Sequence, residues 1–191
     1  MHKLIHEVME RFREFRSRNL NKAGWFCLKL GISANIATTI SLILGIISVY
    51  FLFENQALFI LFAILHLIAD GMDGVIARVS MVTKFGKYYD YVTDNLVVSL
   101  LFLVKLWLQV DDYYVLIVIG LYLLSHVVYL LSKLEYPILF CRLTLIILLA
   151  ILPALNLPLD LVYLTVGVVS AYTSAMQLQT LMKTKQREKE S

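Results

Sequence analysis

Four aspartates fall in one short stretch, DGMDGVIARVSMVTKFGKYYDYVTDN at residues 70–95: Asp70, Asp73, Asp90 and Asp94. The first two are three residues apart and the last two four apart, so on helices each pair shares a face. The stretch lies between long apolar runs, and an uncompensated charge at the centre of a spanning helix costs about 2.5 to 3.5 kcal/mol even on the lenient insertion scale. Four carboxylates brought together would also repel one another unless a cation neutralised them. With neither His nor Cys in the stretch, the donors are hard oxygens suited to Mg2+, Mn2+ or Ca2+ rather than zinc or copper. Two such ions about 4 Å apart form the clamp used in many phosphoryl transfers. A di-iron bundle would instead show Glu-x-x-His pairs, and the sequence has none.

Small residues flank the carboxylates. Gly74 follows Asp73, Ala77 lies four after it, and Gly86 stands four before Asp90. Side chains this small would let a phosphorylated group approach the helix backbone, although close helix packing uses the same residues. Arg78, eight after Asp70, has a geometry suited either to an aspartate or to a substrate phosphate.

These residues need elements to hold them. Of the 191 residues, 60% are hydrophobic and the mean hydropathy is +0.77, above a soluble globular composition, so the expected solvent is lipid. A helix crosses a bilayer core with about 20 apolar residues. The chain from Leu30 to Leu181 divides into six such lengths, 31–53, 57–80, 85–110, 113–132, 136–155 and 157–181. The sequence thus predicts an all-α integral membrane fold of six transmembrane helices preceded by a cytoplasmic juxtamembrane amphipathic helix. Residues 1–20 would form that helix, 21–183 the six-helix catalytic domain and 184–191 a charged cytoplasmic tail. Asp70 and Asp73 then end the second span while Asp90 and Asp94 begin the antiparallel third, which puts all four at similar depth.

Positive charge sets the expected orientation. Lys3, Arg11, Arg13, Arg16, Arg18, Lys22 and Lys29 precede the first span, Lys84 and Lys87 lie at the second-to-third turn, and Lys183, Lys185, Arg187 and Lys189 lie in the tail. The opposite turns hold Glu54, Asp111, Asp112 and Asp160. Both ends and the acidic stretch therefore face the cytoplasm in this reading, within a cell or cytoplasmic membrane. The formal charge of +3 follows from such a topology and needs no nucleic-acid partner. Near the N-terminus Leu4, Ile5, Val8, Met9, Phe12 and Phe15 recur at three- and four-residue steps, the pattern of a helix lying on the membrane face. Its charge does not fit a signal peptide. Cys27 and Cys141 lack metal-type spacing and read as packing residues.

Asp70-x-x-Asp73-Gly74-x-x-Ala77-Arg78, then Gly86-x-x-x-Asp90-x-x-x-Asp94, resembles the signature of the CDP-alcohol phosphotransferase family of integral membrane enzymes, with all eight fixed positions present. The run from Gly31 to Thr38 is similar to the family's first-helix start, with Ala34 where a proline normally precedes the Asn. Seven residues separate Arg78 from Gly86, where eight is commoner. The resemblance implies phospholipid synthesis by transfer of a phosphatidyl-type group from a CDP-linked lipid donor to a small polar alcohol, with CMP released and two Mg2+ or Mn2+ ions required. By position it implies Asp70, Asp73 and Asp90 as metal ligands, and Asp94 as the base for the attacking hydroxyl and a further contact to metal. Gly74, Ala77, Arg78 and Gly86 would line the nucleotide, with Asn35 and Thr38 nearby. A homodimer surrounded by membrane lipids is implied as well.

Arg142, near the start of the fifth expected span, and Lys133 before it read in two ways. Either they snorkel or form ion pairs, or they bind a phosphate on the acceptor. Family members that use inositol phosphate or glycerol phosphate have such basic residues, and the long N-terminal helix resembles the inositol-phosphate type, so the reading leans to a polyol phosphate. His66, one turn before Asp70, and His126 are expected to be buried and structural. Two other classes compete. A membrane prenyltransferase also holds Mg2+ and a diphosphate on aspartate-rich helices, but usually needs about nine spans and acidic motifs far apart. A cation channel or transporter could use an acidic site, yet the chain has no second copy of the motif of the kind transporters often show.

Overall fold

The structure, a computed structural model, describes residues 20–80, 83–110, 113–139 and 141–190. The amphipathic helix expected over residues 1–20 lies outside it except for Leu20, as do the side chains of Asp94, Val110 and residues 185–190. Among the described residues there are helices and connections but no strand.

Helix α1 covers residues 20–29 and stops at Gly31, whose φ of +80° suits glycine. The Gly31 N–H bonds the Leu28 carbonyl at 3.0 Å and the Ile32 N–H reaches the Cys27 carbonyl at 2.9 Å, so two end carbonyls are satisfied as the chain turns. Helix α2, Ala34–Phe51, begins at Ser33, whose Oγ accepts the Ile36 N–H at 3.3 Å. Helix α3, Gln56–Val79, begins at Asn55, whose Oδ1 accepts the Leu58 N–H at 3.0 Å. Both starts follow the usual preference for a short polar side chain at that place. The brief turn between them lays α2 and α3 side by side, the most extensive helix pairing among the described residues.

Helix α4, Lys84–Asp90, is capped by Thr83, whose Oγ1 accepts the Gly86 N–H at 2.9 Å. It runs without a break into a π-helical segment, Tyr91–Val98, and then α5, Ser99–Val110. Helix α6, Tyr113–Leu131, is followed by a turn in which Lys133 and Leu134 have φ of 58° and 65°. Helices α7, Arg142–Ile151, and α8, Asp160–Glu190, complete the order.

Among the described residues five runs are long and apolar enough to cross a bilayer: α2, α3, Lys84–Gln109, α6 and Asp160–Thr184. They match the expected spans 31–53, 57–80, 85–110, 113–132 and 157–181 within a few residues. The stretch expected to span at 136–155 differs, because its helix is the ten residues of α7, about 15 Å of rise against a hydrocarbon core of about 30 Å. Pro137 keeps Tyr136 out of helical geometry. Pro153 and the left-handed Asn156, φ 53°, mark the other end.

The bundle's interior is aromatic and aliphatic. Phe59 of α3 meets Phe102 of α5 edge to face at 5.9 Å, and Leu106, Leu145, Leu149 and Tyr163 are buried around them. The outer face is also apolar, with Ile43, Ile64, Ile68, Ile117 and Leu164 exposed. Water would penalise such a surface, whereas lipid tails do not. Because lipid supplies no hydrophobic drive between helices, close packing matters more. A Cβ on Gly45 of α2 would lie 2.8 Å from Val98 Cγ2 and 3.2 Å from His66 Nδ1, so only glycine lets these three helical segments meet.

Several polar groups inside the bundle find partners. His66 Nδ1 lies 2.9 Å from both the hydroxyl and the carbonyl oxygen of Ser41, and His126 Nδ1 lies 2.9 Å from the Tyr122 carbonyl. Both histidines are buried, as their sequence context predicts. The Tyr122 hydroxyl donates to the Asn95 carbonyl in the π-helical segment. Gln177 Nε2 donates to the Ser125 and Pro137 carbonyls at 2.9 and 3.2 Å, which ties the α6–α7 connection to α8. Cys27 and Cys141 are free thiols, and Cys141 is buried.

Candidate active site

The end of α3 and the start of the next span lie against the first turn of α2, and that junction gathers the acidic residues. One carboxylate oxygen from each of Asp70, Asp73 and Asp90 lies within 4.8 Å of the others. Asp73 is buried while Asp70 and Asp90 are partly exposed. The three-residue step on α3 and the antiparallel arrival of α4 together produce this convergence, as the spacing predicts.

Different groups hold the carboxylates in place. Thr38 Oγ1 donates to Asp73 Oδ2 at 2.7 Å. Arg142, the first residue of α7, grips Asp70 with both ends of its guanidinium, Nη1 to Oδ1 at 3.1 Å and Nη2 to Oδ2 at 2.5 Å. Of the two readings of Arg142, the structure contains the ion pair, and the partner is an aspartate of the acidic cluster. Lys133 is exposed on the α6–α7 connection. Asp94 belongs to the π-helical segment, a rare conformation frequent at functional sites, but its side chain lies outside the described residues.

Beside the cluster is an open cavity of about 170 Å³. Its wall includes Asn35 and Thr38 of α2, Asp73, Gly74 and Ala77 of α3, and Gly86 and Asp90 of α4. Of the nucleotide-site candidates Gly74, Ala77, Arg78, Gly86, Asn35 and Thr38, all but Arg78 border this cavity. Arg78 is exposed and does not line it.

The two motif glycines differ in role. A Cβ on Gly74 would meet nothing within 4 Å, so helix packing does not require glycine there. A Cβ on Gly86 would sit 3.1 Å from both Asn35 Oδ1 and Thr83 Oγ1, so that glycine serves close approach of α4 to α2. Ala34, Thr83 and Lys87 also line the cavity and were not among the site candidates. Lys87 could have been found by its three-residue step before Asp90, which puts both on one helix face. Thr83 carried only a capping signal.

The donor set suits a hard divalent cation. It consists of carboxylate oxygens alone, drawn together from two helices, and nothing soft is present among them. Thr38 occupies one lone pair of Asp73 Oδ2, a fraction of the acceptor capacity of a carboxylate.

A comparison with curated proteins finds no match. The sequence model described as CDP-alcohol phosphatidyltransferase matches residues 31–181, a range that contains the acidic cluster, the cavity and Arg142. Members of that family are transferases of phospholipid synthesis that move a phosphatidyl group from a CDP-alcohol to an alcohol acceptor, in general with divalent metal. With its apolar helices, its carboxylates converging beside a cavity and this match over most of its length, the chain belongs to the CDP-alcohol phosphatidyltransferase family and is an integral membrane enzyme.

Proposed function

We propose that this protein transfers a phosphatidyl-type group from a CDP-linked lipid to a polyol phosphate, such as inositol phosphate or glycerol phosphate, and releases CMP. The observation that carries the reading is the position of the acidic cluster between two features: Asp73 and Asp90 face the cavity lined by Asn35, Thr38, Gly74 and Ala77, whereas Asp70 is held by Arg142. The nucleotide would occupy the cavity side. The acceptor would approach from the side of Arg142, whose forked guanidinium suits a phosphate.

Asp70, Asp73 and Asp90, with Asp94, would hold two divalent ions, Mg2+ or Mn2+. When bound, these ions offset charge on the diphosphate and on the leaving CMP. Asp94 takes the proton of the acceptor hydroxyl, whose oxygen forms a bond to the lipid-side phosphorus. The bond from that phosphorus to the CMP oxygen breaks, and CMP leaves with the electron pair. Gly74 keeps the α3 surface low enough for the nucleotide to lie against it, and Lys87 places a positive charge on the cavity wall. Arg78, outside the cavity wall, would contact substrate only beyond that wall. Lys133 would assist Arg142 with the acceptor phosphate.

A site facing the cytoplasm suits this chemistry, since nucleotide and polar acceptor come from water and the donor enters from the bilayer. A homodimer belongs to the same reading and would be seen as a doubled mass by light scattering in detergent. Family membership leaves no observation favouring the prenyltransferase or transporter alternatives. The test is CMP release from a CDP-linked lipid by purified protein with Mg2+ or Mn2+, across a panel of acceptors. Turnover with a polyol phosphate and little with serine or free inositol is expected. The reverse order would remove the phosphate from the acceptor assignment.

A further inference from the structure

The proposed metal site has a cation of its own. Both oxygens of Asp70 are engaged by one guanidinium, and the Arg142 and Asp70 side chains are only 12% and 24% exposed. Asp73 is bonded instead by the neutral Thr38 hydroxyl. Arg142 comes from α7, outside the acidic motif and 72 residues from Asp70. It also lies off the cavity side, since neither Arg142 nor Asp70 borders that cavity.

We infer that Arg142 and a divalent ion compete for Asp70, and that a tetrahedral dianion seated on Arg142 relieves the competition, so that metal and anion bind cooperatively. The inference rests on the metal reading above and deepens it. A fork on both carboxylate oxygens takes two of their roughly four lone-pair sites, so a metal ion finds fewer donor positions on Asp70. The two cations repel each other, and a partly buried site screens that repulsion less than water does. A phosphate-type dianion presents oxygens in the same two-point geometry as a carboxylate. It can therefore take over the guanidinium and free Asp70 for the ion. Linkage makes the effect reciprocal: the factor by which the anion tightens metal binding is the factor by which metal tightens anion binding. Loading of the metal and capture of an anionic acceptor would thus be coupled through one side chain, and an uncharged acceptor would forgo the coupling.

The experiment is Mn2+ binding to the purified full-length protein in detergent, read from the electron paramagnetic resonance signal of free Mn2+, with no donor or nucleotide present. Sulfate replaces chloride at constant ionic strength as the dianion probe. The wild type is expected to bind Mn2+ about tenfold more tightly in sulfate. Arg142→Gln should bind Mn2+ about tenfold more tightly than wild type in chloride and lose the sulfate effect. Arg142→Lys keeps the charge without the fork and should fall between them; with the wild-type sulfate comparison it decides the matter should Arg142→Gln fail to fold. Weaker Mn2+ binding by a folded Arg142→Gln protein would overturn the inference and make Arg142 a strut that positions Asp70. Indifference of the wild type to sulfate would overturn it as well. Failure of the metal reading looks different: the wild type then binds no Mn2+ in either buffer, and Asp73→Asn behaves the same.

Discussion

Thr38 of α2 donates its hydroxyl hydrogen to Asp73 of α3 across 2.7 Å, with both side chains buried. The bond joins the start of one spanning helix to the acidic face of the next, and it anchors Oδ2 of Asp73. A hydrogen bond to a charged group is worth about 1.5 to 3 kcal/mol. Thr38→Val, which keeps the shape and removes the donor, is therefore expected to lower turnover by about ten- to a hundredfold, with Thr38→Ser close to wild type. Titrating Mg2+ in a CMP-release assay checks it, and wild-type behaviour of Thr38→Val would leave Asp73 positioned by its helix alone.

Asp70→Asn, Asp73→Asn and Asp90→Asn are each expected to abolish turnover and weaken divalent-ion binding, because each removes a charged ligand from a shared clamp. The measurements are CMP release and Mn2+ affinity. Near-normal release by any one variant takes that residue out of the metal site.

Asp94→Asn is expected to separate binding from chemistry. A general base acts on the hydroxyl rather than on donor affinity, so CDP-lipid binding should persist while turnover falls by about a hundredfold or more. Collapse of donor affinity instead would identify Asp94 chiefly as a ligand.

Gly74→Leu and Gly45→Ala form a matched pair. The first adds a branched side chain where a Cβ meets nothing within 4 Å beside the cavity, so it should block CDP-lipid binding in a folded protein. The second drives a methyl to within 2.8 Å of Val98 Cγ2, and overpacking of that kind typically costs about 1 to 3 kcal/mol. Thermal unfolding should therefore fall for Gly45→Ala, while its donor affinity at temperatures where it stays folded is unchanged. Equal loss of stability in both variants would count against a nucleotide-facing Gly74.

Arg142→Ala is expected to raise the Michaelis constant for a polyol-phosphate acceptor by about ten- to a hundredfold, the value of one charge-assisted contact, and to leave CDP-lipid affinity alone. Steady-state kinetics with each substrate varied in turn decides it. Unaltered acceptor kinetics with lowered stability would restrict Arg142 to its ion pair with Asp70.

The acidic motif and the apolar lengths were legible along the chain because each depends on local order. A three-residue step puts Asp70 and Asp73 on one face whatever surrounds them, and alternating spans bring Asp90 to the same depth. Tertiary structure alone decided the rest. Whether a motif glycine faces a neighbour or open space depends on the atoms opposite it, which is why Gly86 and Gly74 look alike in sequence and differ in the fold. The π-helical turns at Tyr91–Val98 leave no periodic signature that hydropathy could reveal. The ten-residue α7 sits in an apolar stretch long enough to span; Pro137 and Pro153 stand in that stretch, but hydropathy alone does not show that the helix between them stays so short. Above all, Arg142 met Asp70 across 72 positions, a pairing set by where α7 lands on the bundle. Spacing reports which side chains share a helix face, and it carries no record of which helices will come to face each other.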